Sequence, residues 1–181
     1  MDALTPEEMF NDCVNIILEH EGGLIDNKND LGGITQWGIS LRYLRSIGYD
    51  VNGDGIIDRE DIIGLPKQDA IEIYREFWWD HYKYSAFNAL EVVEKVFDLA
   101  VNMGGYAAHK LLQIAINQLN EKPIIVDGIL GGLTFGAANR LDPYLLRQKL
   151  REEAKFSYIR ILSAKPELEI FRNGWMNRAA W

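Results

Sequence analysis

The sequence predicts a mainly α fold, and three features carry that expectation. Apolar residues recur at three- and four-residue spacing through most of the 181 residues. Helix start signals stand at Thr5-Pro6 and at Pro66, and only the short stretch Glu121 to Gly128 reads as extended. An apolar fraction of 48% with 11% aromatics excludes disorder and suffices for one good core or two small units packed together.

The first helix is the best marked. Thr5 is its N-cap, Pro6 its first helical residue, and Glu8 completes a capping box three residues after the cap. Its apolar stripe runs Phe10, Val14, Ile17, flanked by Cys13 and Ile16, and Gly22-Gly23 supplies the stop. A polar loop follows to about Thr35, then a helix over 40–47 and an ion-loop pattern over 50–61. Pro66 opens the helix "PKQDAIEIYREFWWDHY", with Ile71, Tyr74 and Trp78 at helical spacing. Further helices are expected over 90–101, 105–119, 133–140, 143–163 and 166–172. A soft boundary falls near Gly104-Gly105 or in "NEKPIIVDG", without a Pro/Ser-rich linker, so the two halves should pack together.

Composition removes several classes of function. No stretch approaches the ~18 apolar residues of a membrane span, and no secretory signal opens the chain. A single cysteine excludes an internal disulfide and, with three scattered histidines, leaves no thiolate or imidazole zinc set. Cys13 itself reads as a small buried apolar residue. The net charge of −8 is concentrated in residues 1–61, which hold 13 acidic residues against 4 basic ones. No basic footprint for nucleic acid is present.

Continuing the first apolar stripe by four residues reaches Glu21. There, burial and the negative end of the helix dipole would both raise a carboxyl pKa, as a general acid requires. The adjacent glycines would let a bulky substrate approach. Spacing alone leaves a second reading, in which Glu21 closes the stripe pointing to water. Asp30 and Thr35 follow, separated by Gly32-Gly33. One protonated acid, one exposed carboxylate and one hydroxyl could hold and activate a water across a sugar ring.

The stretch "EHEGGLIDNKNDLGGITQWGIS" resembles the signature of glycoside hydrolase family 108, bacterial and phage N-acetylmuramidases. It matches at Glu21, Gly22, Gly23, Asn27, Asp30, Gly32, Gly33, Thr35, Gly38 and Ile39. The likeness extends to "IYREFWWDHY" through Tyr74, Trp78, Trp79 and Asp80, and to "VFDLAVNMGG" through Phe97, Asp98, Ala100, Val101, Asn102 and Gly104. Beyond these, Asp127, Gly128, Gly131, Thr134, Gly174, Trp175, Asn177 and Arg178 are similar to the predicted peptidoglycan-binding region that usually follows. The chain departs from the family at Asn27-Lys28, where an Asp-Pro pair is common, and at Leu31, commonly Pro. Asn27 cannot act as a base, which favours Asp30.

The resemblance implies a lysozyme-like helical fold that cleaves the β-1,4 bond between N-acetylmuramic acid and N-acetylglucosamine, with Glu21 as the acid and Asp30 and Thr35 as its partners. It implies a muramidase region over 6–95 and a peptidoglycan-binding helical region over 96–178, packed as one unit. The expected partner is bacterial peptidoglycan, the expected state a monomer, and no cofactor is needed for catalysis. Without a signal peptide, such a protein is expected to be made in a bacterial or phage-infected cytoplasm and to reach the wall by holin-like or other export. The rival expectation is a catalytically silent wall-binding or secretion-accessory protein.

"DVNGDGIIDRED" fits a twelve-residue EF-hand-like calcium loop inserted in this fold. Asp50, Asn52 and Asp54 occupy positions 1, 3 and 5, Gly55 the turn, the Ile56 carbonyl position 7, Asp58 position 9 and Asp61 position 12. Four carboxylates so close would repel one another without a cation. Asp61, shorter than the usual Glu, weakens the case for bidentate ligation. The loop also resembles those of dockerin modules, which carry two; with one here, the Ca2+ is read as structural. Among the aromatics, Trp37, Trp78 and Trp79 are candidates for stacking on sugar, with Asn102 as a further substrate contact. Trp78 and Trp79 point about 100° apart on a helix, so at most one shares the Tyr74 stripe.

Overall fold

A computed structural model describes residues 4–21, 23, 24 and 34–181, with His20 and Glu21 by backbone alone. Helix α1 (Pro6–Glu21) begins at the expected capping box. The Thr5 hydroxyl accepts the Glu8 N–H at 3.2 Å, while the Glu8 carboxylate accepts from the Thr5 N–H and hydroxyl, each at 2.8 Å. Its buried face of Phe10, Cys13, Val14 and Ile17 packs on α5 (Leu90–Met103). Burial pushes the Cys13 thiol far above its usual range, so this residue packs as an inert core side chain.

The polar stretch ends in a hairpin that the sequence pattern does not signal. Strands β1 (Thr35–Gln36) and β2 (Ile39–Ser40) pair antiparallel, Thr35 opposite Ser40 and Gln36 opposite Ile39. The two loop residues, Trp37 and Gly38, have φ of 53° and 78°, as a type I′ turn requires. Glycine adopts this freely, whereas tryptophan gives up about 1–2 kcal/mol. Two contacts offset that cost: the Trp37 indole N–H donates to the Leu65 carbonyl at 3.1 Å, and the Trp37 carbonyl accepts the Tyr74 hydroxyl at 3.0 Å.

Helix α2 (Leu41–Ile47) is capped by the Ser40 hydroxyl, which accepts the Tyr43 N–H at 3.2 Å, and ends at Gly48 with φ 69°. The end of the acidic loop then forms a short helix, α3 (Arg59–Gly64), with Asp58 and Asp61 as the two halves of its capping box. Helix α4 (Lys67–Tyr74) runs without a break into one π-helical turn, Arg75–Asp80. The expected continuous helix thus changes register where the tryptophan pair sits, a kind of local widening common near functional sites. A 3₁₀ turn, Tyr84–Ala86, leads into α5.

The second half is helical: α6 (Gly105–Leu119), α7 (Gly132–Ala138), α8 (Pro143–Ala164) and α9 (Arg172–Ala180), with a 3₁₀ turn at Pro166–Phe171. The expected helix over 166–172 is that turn, and α9 follows it. Only Ala179 of α9 is buried, so no apolar stripe announces the helix. The stretch 121–128, expected to be extended, forms no strand. Asn117 pins it instead, donating to the Ile124 carbonyl at 2.9 Å and accepting the Ile124 N–H at 2.8 Å. One core runs through both halves, with α5 packed against α1 on one side and against α6 and α8 on the other. Among the described residues no helix is long and apolar enough to cross a membrane.

Candidate active site

Glu21 is the last residue of α1. Its side chain, Gly22 and residues 25–33, and with them Asn27, Asp30, Gly32 and Gly33, lie outside the described residues. What the described residues define is the ground the signature lands on. A cleft of about 600 Å³ opens between the hairpin, α2 and the π turn on one side and the α5–α6 junction on the other, lined by Gly38, Ser40, Tyr43, Trp78, Tyr82 and Asn102. Thr35 pairs with Ser40 across the hairpin, and residues directly opposite share a face of the ladder. The Thr35 side chain therefore lies on the same face as a residue that lines the cleft.

The apolar wall of the cleft is Trp78 against Tyr43, with ring centroids 4.4 Å apart, backed by Tyr74 at 5.3 Å from Trp78. Burial, with Tyr82 close by, pushes the Tyr43 hydroxyl well up, so it remains a neutral donor through the physiological range. Tyr82 seats against the first residue of α6. A Cβ on Gly105 would come within 2.5 Å of the Tyr82 ring, which explains the glycine there. Asn102, in the last turn of α5, is exposed and accepts the Tyr158 hydroxyl on Oδ1 at 2.8 Å.

Trp79 is corrected from a candidate sugar contact to a core residue. It is 1% exposed and meets Phe10 edge-on at 5.4 Å and Phe97 at 5.9 Å, so its ring has no face left for a ligand. Trp78 is also part of the core, 9% exposed and packed on Tyr43 and Tyr74, and only its edge reaches the cleft lining. Trp37 stands at the hairpin tip with its N–H donor spent on Leu65, and its part in positioning the turn is structural.

In the 50–61 loop the acidic side chains turn onto the loop's own backbone. Asp50 accepts the N–H groups of Gly53 and Gly55 at 2.8 and 2.7 Å, Asn52 that of Asp54 at 2.9 Å, and Asp54 that of Ile56 at 2.8 Å. Asp58 accepts from Glu60 at 2.8 Å. Asp61, fully buried, accepts from Val51 at 2.8 Å and Asn52 at 3.3 Å on one oxygen and from Asp58 at 2.7 Å on the other. Its burial alone would raise the carboxyl pKa, but these amides outweigh it and hold it below the usual value. Among the described residues no three acidic, imidazole or thiolate side chains converge as a ready-made cation set. The donor types suit calcium, and they include the Asn52 carboxamide and the Ile56 carbonyl.

Three polar clusters lie outside the cleft, and they join residues singled out by sequence to others that were not. His109, buried, sits between the Tyr84 hydroxyl at 2.8 Å from Nε2 and the Gly128 carbonyl at 3.2 Å from Nδ1. Gln113, also buried, accepts the Gly128 N–H at 2.7 Å and donates to Asp127 at 2.8 Å and the Ile129 carbonyl at 3.1 Å. The Asp127-Gly128 motif is thereby explained as a pinned turn. The third cluster joins Asp98 and Lys95 of α5 to Arg178 of α9. Tyr158 and Gln113 carry no sequence signal, because their partners stand 56 and 15 residues away, respectively.

The family model Glycosyl hydrolase 108 matches residues 14–104, and the model Predicted Peptidoglycan domain matches residues 107–180. None of the curated proteins compared with the chain matches it. Among solved structures, that of Brucella abortus SagA is similar with a TM-score of 0.74 at 24% identity, over 96% of this chain and 91% of that one. At that identity the likeness speaks for the fold. It covers both matched regions, and over the described residues the mainly α, lysozyme-like expectation holds. The first family model spans half the chain, and with it every described element of the cleft up to Gly104: the chain belongs to glycosyl hydrolase family 108, with a peptidoglycan-related region after it.

Proposed function

We propose that the protein hydrolyses peptidoglycan at the β-1,4 bond between N-acetylmuramic acid and N-acetylglucosamine. The observation that carries this reading is the coincidence of family membership with the position of Glu21, which closes α1, and of Thr35, which pairs across the hairpin with Ser40 of an aromatic cleft. Glu21 protonates the leaving glycosidic oxygen, Asp30 takes a proton from the attacking water, and Thr35 orients that water. Trp78 and Tyr43 give the sugar an apolar wall, and the Asn102 carboxamide a hydrogen-bonding edge. The activity would serve cell-wall lysis, or opening of the wall for secretion, after holin-like or other export.

The test is loss of turbidity of purified peptidoglycan with the native chain and with Glu21→Gln. The variant should be slower by at least about 100-fold, the usual scale for loss of a general acid. Equal clearing by both would remove Glu21 from the mechanism. If neither clears the wall while both sediment with it, a catalytically silent wall-binding protein is the better reading.

The 50–61 loop we assign to a structural Ca2+, on its donor chemistry: Asp50, Asn52, Asp54, Asp58 and Asp61 with the Ile56 carbonyl. The carboxylates keep lone pairs beyond those that accept the loop amides, so the same oxygens can take the cation. Millimolar calcium should raise the melting temperature and a chelator reverse it, since a ligand of the folded state alone must stabilise that state. An unchanged melting temperature counts against the site.

A further inference from the structure

We infer that Tyr158, in the peptidoglycan-related region, is a positioning residue for the cleft of the family 108 region: it fixes the Asn102 carboxamide so that the amide nitrogen, not the oxygen, is offered to substrate. The inference rests on the muramidase reading above and adds a residue to it.

Tyr158 is 1% exposed, and a buried hydroxyl must place its proton on an acceptor. It places it on Asn102 Oδ1 at 2.8 Å. The ring cannot swing away, because it stacks on Trp175 with centroids 5.1 Å apart and planes 24° from parallel, and Trp175 in turn stacks on Phe171 at 5.8 Å. Tyr158 therefore sets the orientation of Asn102, and not the reverse. Asn102 is exposed at the lip between the cleft and a second hollow of about 550 Å³ lined by Phe171, Trp175 and Trp181. With Oδ1 engaged, Nδ2 is the group left for a ligand. Two N–H donors suit the carbonyl oxygen of an N-acetyl group, present on both sugars of the glycan strand. A carboxamide without Tyr158 could flip and present its oxygen to that carbonyl, which costs affinity by loss of preorganisation.

The experiment is steady-state kinetics of the full chain on soluble glycan oligosaccharides of alternating N-acetylglucosamine and N-acetylmuramic acid, with native, Tyr158→Phe, Asn102→Ala and the double variant. Tyr158→Phe keeps the stacked ring and removes only the hydroxyl. The expected result is a KM about fivefold to tenfold higher with kcat within about twofold, on the scale of one directed hydrogen bond. Asn102→Ala should raise KM at least as much, and the double variant should be no worse than Asn102→Ala alone, since Tyr158 acts through Asn102. A KM unchanged in Tyr158→Phe, with or without a lowered melting temperature, overturns the positioning role, as does a double variant whose losses multiply. If the native chain itself does not turn over these oligosaccharides, the muramidase reading fails and this inference falls with it. An active native chain with an unaffected Tyr158→Phe refutes the inference alone.

Discussion

Acidification should weaken the protein through His109, and the size of the effect follows from its surroundings. The Gly128 carbonyl can only accept, so Nδ1 carries the ring proton and Nε2 accepts from the Tyr84 hydroxyl. Burial pushes the Tyr84 hydroxyl far above its usual range, which keeps that donor in place. The neutral ring is thus fully satisfied. A second proton would bury a charge and set two donors against each other on Nε2. Burial first, then repulsion from His81, lowers the pKa from 6.5 to about 4 against the opposing pull of the Gly128 carbonyl. The unfolded chain takes up the proton more readily, so this contribution is complete above pH 6.5 or so and is lost as the pH falls toward 4. Between about pH 7 and about pH 4.5 the loss is about 2.5 kcal/mol. Urea unfolding followed by tryptophan fluorescence at the two pH values would measure it, in dilute solution because the isoelectric point is near 4.9. Asp61 and Asp127, held below their usual pKa by hydrogen bonds, also lose stabilisation on acidification, so the comparison must be with His109→Gln. The variant should start less stable but lose about 2.5 kcal/mol less on acidification. Equal losses in the two proteins would refute the assignment.

The tryptophan pair should separate under mutation. Trp79→Ala should cost about 3–5 kcal/mol of stability, as for a fully buried large aromatic, and lower activity only through unfolding. Trp78→Ala should also cost stability, read from the same denaturation curves, because Trp78 belongs to the core, but should in addition raise KM where the protein remains folded, because Trp78 also lines the cleft. Gly105→Ala should destabilise by about 1–3 kcal/mol, since the added methyl must displace the Tyr82 ring. It should also impair activity at temperatures where the protein remains folded, because Tyr82 lines the cleft; full activity with a lowered melting temperature would restrict that glycine to packing.

Much of this was legible in the residues. The capping box at Thr5 and Glu8, the stripe of α1 and the long helices of the second half follow from local spacing, and the structure repeats them nearly residue for residue. The hairpin was not, because its two strands are two residues each, too short for alternation to register, and its turn places a tryptophan where glycine or asparagine is the usual sign. The sign that replaces them is tertiary: Leu65 and Tyr74 hold Trp37 from 28 and 37 residues away. Helix α3 was hidden because its capping box doubles as the end of the acidic loop, and the same Asp58 and Asp61 answer to two patterns. The divergence of Trp78 from Trp79 was foreseeable as geometry, but that both end in the core with only Trp78 reaching the cleft depends on the π turn, and no local rule announces that insertion. Glu21 and Thr35 were singled out as candidates by the signature. Tyr43 and Tyr82 were not, because an aromatic at helical spacing reads as core until its neighbours are known.

The pairing of Asp98 with Arg178, two residues that sequence names but does not join, has the largest consequence for how the two matched regions pack together. Arg178 of α9 donates to Asp98 of α5 at 2.7 Å, and buried Lys95 lies 3.6 Å from the same carboxylate while donating to the Arg178 carbonyl. Burial, more than the pull of Asp98, governs Lys95, whose pKa falls to about 8. Such a cluster is a weak source of net stability, because desolvation offsets the attraction. What it does is tie the two helices together: lifting α9 from α5 would take the guanidinium from Asp98 and the Arg178 carbonyl from Lys95. Asp98 and Asn102 are four residues apart on α5, so they present to α8 and α9 as one stripe, Asp98 taking Arg178 and Asn102 taking Tyr158. A wall-binding module on a flexible tether would make no such contacts. The peptidoglycan-related region instead braces the cleft of the family 108 region from behind, and α8 and α9 meet that cleft through α5.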